Sequence, residues 1–144
     1  MGAAHKNTIP VLLRQCATLA NQHIDNMLKQ HDLARSQYRV LYQLAQHGEL
    51  SQKALAELMA VTPATITPLV ETLERKGLVA RSRDAADRRS NTLTLSAAGR
   101  KQYDAIPDPV ALVEHEVSQV IGPDQLAVLK TQLTAIATAL TNNV

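Results

Sequence analysis

The tightest constraint on the fold lies between Ser51 and Gly77, where two helix-start signals stand so close that only a sharp turn fits between the helices they open. Ser51 predicts an N-cap, its hydroxyl accepting from a free backbone N–H of the first turn. Leu55 and Leu58 then supply an apolar stripe. Thr62 followed by Pro63 is the second start, because proline lacks only an N–H that would be unpaired in a first turn. Ile66, Leu69, Val70 and Leu73 recur at helical spacing, and Gly77 stands where a helix end calls for positive φ. Leu78-Val79 and Thr92-Leu93-Thr94-Leu95 have strand character, the second with clean alternation. Arg81, Arg83, Arg88 and Arg89 crowd the polar connection between them. The pattern is a winged helix-turn-helix, a shape whose second helix fits a DNA major groove.

Charge supports that reading through its distribution. Residues 75–101 hold eight Lys/Arg against Asp84 and Asp87, a local balance of +6 within a chain of net charge +2. Localised basicity is the footprint of phosphate contact. An arbitrary basic stretch is more often a solvated face, but here the charge falls on the two elements that should face DNA.

The first turns of the second helix should meet base edges through Thr62, Ala64, Thr65 and Thr67. Threonine can bond several edges, and Ala64 and the threonine methyls suit the thymine methyl. None makes a discriminating Arg–guanine or Asn–adenine pair, so shape and water should share the readout. Pro68 breaks a local rule, since proline inside a helix removes a hydrogen bond and can bend it. Arg75 and Lys76 are expected at phosphates or at the helix C-terminal dipole. Arg81, and Arg83 or Arg88, extend the basic surface into the wing.

The run from Leu50 to Ser96, with LERKGLV after the second helix and DRR in the wing, resembles the MarR-type transcriptional regulators. The resemblance extends in outline over almost the whole chain, long terminal helices included. It implies a mainly α fold with a small β-wing, in which a winged helix-turn-helix is flanked by N- and C-terminal dimerisation helices. It also implies that Arg89 enters the minor groove and that Asp87 pairs with and orients it. The chemistry is sound, because a narrow minor groove concentrates negative potential and guanidinium is weakly hydrated. Other members carry Arg where Pro68 stands, so the wing should carry more of the contact. A small anionic or phenolic effector, bound between the lobes, is a further implication of the family.

The flanks read as helices. Ile9, Leu12, Leu13, Cys16, Leu19, Ala20, Ile24 and Met27 form a stripe over about 9–28, with Pro10 tolerable in the first turn. Ser36 to Gln46 makes another helix, with Val40, Leu41 and Leu44 inward and Gly48 as its stop. Ser96 caps a helix from Ala97 to about Ala105; Asp108-Pro109 restarts one that runs to about Ile121. After Gly122-Pro123, Leu126, Leu129, Leu133, Ile136 and Leu140 give the narrow seam of helix-against-helix packing. At 144 residues the expectation is one domain, 1–144, with dimerisation helices at 9–30 and 97–142 and a DNA-binding lobe at 36–96. A symmetric homodimer would set two recognition helices about 34–36 Å apart on a near-palindromic site.

Several functions are disfavoured. No apolar run is long enough to cross a bilayer and no signal-peptide pattern opens the chain, so a membrane partner is not expected and the cytoplasm is. Five scattered histidines lack ligand spacing, so no metal and no cofactor is expected. There is no nucleophile–base set and no phosphate-cradling glycine loop, which argues against an enzyme. Cys16, alone in an apolar stripe, reads as a small core residue. A thiol switch competes with that reading, because ITPLVETLE and SQYRVL resemble the organic-hydroperoxide-sensing branch of the family. That branch, however, carries its reactive cysteine at a position matching about Pro10, and its tyrosine partners match Ile24 and Arg35. A winged-helix protein-interaction module without DNA is the remaining alternative; the wing arginines oppose it.

Overall fold

The structure, a computed structural model, describes residues 7–83 and 91–142. Its elements in order are α1 (Ile9–Lys29), α2 (Arg35–His47), β1 (Glu49–Ser51), α3 (Gln52–Met59), α4 (Pro63–Arg75), β2 (Val79–Arg83), β3 (Asn91–Leu95), α5 (Ala97–Ala105), α6 (Pro109–Ile121) and α7 (Pro123–Thr141). They divide into two compact units. One spans Asp25–Ile106; the other holds the chain up to Ile24 and from Pro107 onward.

In the Asp25–Ile106 unit, α2 supplies the centre. Val40, Leu41 and Leu44 are fully buried, as their spacing requires, and Gly48 ends the helix at φ 79°. Around them pack Leu55, Ala56 and Met59 of α3, Ile66, Val70 and Leu73 of α4, and Leu93 of β3. The expected stripe of α3 is corrected here: Leu55 is buried but Leu58 is 46% exposed. The inward face centres on positions 55, 56 and 59, and Leu58 lies about 100° round the helix from that centre, on the solvent flank. Ser51 caps α3 as expected, its Oγ accepting from the Ala54 N–H at 3.1 Å. Thr62 occupies the N-cap of α4, yet its hydroxyl caps nothing and lies 3.1 Å from the Thr65 hydroxyl. The turn between α3 and α4 hinges on Ala60, left-handed at φ 54°.

The sheet has three strands, not the two legible in sequence. Its order is β1-β3-β2, antiparallel throughout, with Leu50 opposite Leu93, and Arg81 opposite Leu93 on the other side. Gly77, at φ 72°, lets the chain leave α4 for β2. Its carbonyl accepts from Ser96 Oγ at 2.5 Å, and the same hydroxyl accepts from Gly99 N at 2.9 Å, capping α5. Gly99 presses on the Leu78 backbone so closely that a Cβ would sit 1.9 Å from the Leu78 carbonyl oxygen. Tyr38 stacks on Tyr103, ring centres 5.9 Å apart, which joins α2 to α5.

The other unit is built from the start of α1 with α6 and α7. Asp108 caps α6 through Val110 N at 2.9 Å, Lys130 pairs with Glu114 at 2.6 Å, and His23 meets Glu116 at 3.1 Å. Its apolar stripes remain largely uncovered, including Leu12, Leu19, Leu133, Ile136 and Leu140. Cys16 is exposed too, against the expectation of a core residue, because nothing in the described chain covers that face of α1. Among the described residues no helix is long and apolar enough to cross a membrane.

Candidate nucleic-acid interface

The sequence of α4 separates two faces. Ile66, Val70 and Leu73 bury one against α2 and α3, which turns Pro63, Ala64, Thr65, Pro68 and Glu71 outward. Pro68 does not break the helix, which continues to Arg75. Its missing N–H would have met the carbonyl of exposed Ala64, where water can take the acceptor. Thr72 Oγ1 donates back to the Pro68 carbonyl at 2.8 Å. The outward face of the first turns is therefore small, methyl-bearing and hydroxylated, a shape that can lie close to base edges.

The predicted contact residues fall into distinct settings. Ala64 and Thr65 stand exposed together, with the Thr62 hydroxyl tied to that of Thr65. Thr67 is half-buried; its hydroxyl donates to the Pro63 carbonyl at 2.9 Å and accepts from Gln52 Nε2 at 2.8 Å. Arg75 lies exposed on the last turn, donating to Thr72 Oγ1 at 3.1 Å. Lys76 turns toward the α1–α2 connection, its Nζ 3.2 Å from the Asp32 carboxylate. Arg83 closes β2 opposite Asn91. Asp84, Asp87, Arg88 and Arg89 lie outside the described residues.

Arg81 is held most firmly. Its Nε and Nη2 donate to the two carboxylate oxygens of Glu74 at 3.0 and 3.1 Å, and its Nη1 donates to Gln52 Oε1 at 3.1 Å. The Glu74 hydrogen bonds raise its pKa, partial burial opposes them, and Glu74 and Glu71 add favourable charge. A fork on a carboxylate is the strongest pairing available to a guanidinium. A separate hollow of about 650 Å³ opens at the α1–α2 junction, where Lys29, Arg35, Arg39 and Lys76 face Asp25 and Asp32.

The MarR family profile matches residues 33–90, the span from the end of the α1–α2 connection through the wing. MepR of Staphylococcus aureus, solved in complex with DNA, is 27% identical; the match covers 92% of this chain and 98% of that one, with a TM-score of 0.77. The chain shares the fold of the MarR-family regulators, and its residues 33–90 carry the family's pattern. The HTH-type transcriptional regulator FarR of Neisseria gonorrhoeae is 29% identical over 111 residues, 77% of this chain and 76% of FarR. NadR, solved with 4-hydroxyphenylacetate, is 27% identical over 95% of this chain and 96% of its own, with a TM-score of 0.66. Over most of its length the chain is thus similar to winged-helix transcriptional regulators, one of them solved on DNA.

Two residues that organise this surface carry no motif in the sequence. Gln52 follows the Ser51 cap and looks like an ordinary first-turn residue, yet it bridges Arg81 and Thr67. Glu74 looks like a solvated charge beside Arg75. The available signal was spacing: Thr67 and Glu74 lie two helical turns apart and so share a face with buried Val70.

Proposed function

We propose that this regulator acts in the cytoplasm as a homodimeric repressor on a near-palindromic operator. Each chain would lay the first turns of α4 in a major groove and extend its wing along the adjacent minor groove. Thr62, Ala64 and Thr65 would meet bases. Arg75 and the wing residues Arg83 and Arg88 would take phosphates, and Arg89, oriented by Asp87, would enter the minor groove. The observation that carries this reading is the outward face of α4, whose exposed Ala64 and Thr65 stand on a helix anchored by fully buried Ile66, Val70 and Leu73. Rigid placement of small contact groups is what base readout requires.

The dimer follows from apolar surface. The uncovered stripes of α1 and α7 need a partner, and a second copy supplies the matching seam. Release by a small anionic or phenolic effector has support in the basic excess of the hollow at the α1–α2 junction. Such control works only through unequal affinity for two conformations.

Selection of bound sites from a random duplex pool tests the reading, followed by a screen of aromatic carboxylates for release. Selected sites should show two related half-sites. Arg89→Ala should weaken binding to all of them, while Thr65→Ala should relax preference at one base step per half-site. A pool that yields no enrichment at low salt would contradict it.

A further inference from the structure

A chain of hydrogen bonds joins the base of the wing to both halves of α4. Arg81 on β2 forks onto Glu74 in the C-terminal half, reaches Gln52 at the start of α3, and through Gln52 is connected to Thr67 in the N-terminal half. A phosphate contact needs guanidinium N–H groups turned to solvent. Here three of its five N–H groups, one on each nitrogen, donate inside the protein, and the side chain is only 24% exposed. Thr67 is equally engaged, with its hydroxyl both donating and accepting internally. The two residues sit within the footprint of a DNA reader, yet most of their hydrogen-bonding groups are engaged within the protein.

We propose that Arg81 is a positioning residue: with Glu74 and Gln52 it fixes the angle between wing and recognition helix, and Thr67 is the far anchor of that strap. The proposal rests on the DNA-binding reading of this unit. A protein that grips duplex at two points gains from the second only when the two are held at the right separation and angle. Loosening the strap costs affinity without removing any contact to the nucleic acid.

Salt dependence separates the two roles, because each lost phosphate contact lowers the slope of log affinity against log salt by about 0.9. Binding to a selected duplex should be titrated across salt for the wild type, Arg81→Gln, Glu74→Gln and the double variant. Each single change should weaken binding about tenfold, the scale of a lost charge-assisted hydrogen bond. The double variant should be no worse than either single, and the slope should hold. Glu74→Gln gives opposite signs for the two roles. It removes a negative charge near DNA and frees Arg81, so an Arg81 that contacts phosphate would bind tighter with a steeper slope. Tighter binding, or a slope lowered by about 0.9 in Arg81→Gln, overturns the proposal. Amide hydrogen exchange over Val79–Arg83 in the free protein checks the strap without DNA. Exchange should rise in both single variants while α2 stays protected; unchanged exchange in properly folded variants also overturns it. A wild type that binds no duplex would sink the regulator reading, and the exchange arm would still decide the strap.

Discussion

The two units of this chain use similar apolar residues to opposite ends. Every buried Leu, Val, Ile and Met among the described residues lies within Asp25–Ile106. Of the exposed large hydrophobics, all but Tyr42 and Leu58 belong to the unit made from the chain's two ends. One unit closes a core around α2 with helices on several sides and a sheet at its edge. The other stacks long helices whose stripes exceed what they can cover themselves. The lesson is that periodicity announces a helix with an apolar face but not the owner of the surface that covers it. A reading unit must hold its shape alone, whereas helices with uncovered seams are suited to meeting a second copy.

Single substitutions in each unit should expose that contrast. Leu41→Ala removes a fully buried side chain from the centre of the reading unit. It should cost about 3–4 kcal/mol in urea unfolding, at any protein concentration. Gly99→Ala drives a methyl into the Leu78 carbonyl, a backbone atom that cannot swing away. A loss of about 2–3 kcal/mol is expected, read from the same unfolding curves. Leu133→Ala, on the 39% exposed seam of α7, should cost only about 1–2 kcal/mol, and chiefly in self-association. Its signature is a melting temperature that falls further as protein is diluted. If Leu133→Ala acted like Leu41→Ala, independent of concentration, the contrast between the units would be broken. Ser51→Ala should show the smallest effect, about 1 kcal/mol, through loss of the α3 cap.

The sequence made the reading unit legible because its signals are local. Ser51 and Ser96 cap helices through hydroxyl groups within three residues of the N–H they serve, and each is visible in the sequence. Gly48 and Gly77 likewise sit where helices end. What was missed depends on long-range partners. Glu49–Ser51 has no strand signature of its own and becomes β1 only because β3 offers a free edge. The fork from Arg81 to Glu74 and the bridge through Gln52 join residues on three elements, which charge and spacing along one segment cannot announce. Cys16 was placed in a core that the single chain does not build. The same stripe that predicted α1 correctly could not say whether its cover lies within this chain.

Sedimentation equilibrium of the protein with a selected duplex tests the central claim most directly. The account predicts two chains per duplex site at low salt, with the complex dissolving steeply as salt is raised. One chain per site, or no complex at any salt, would contradict it.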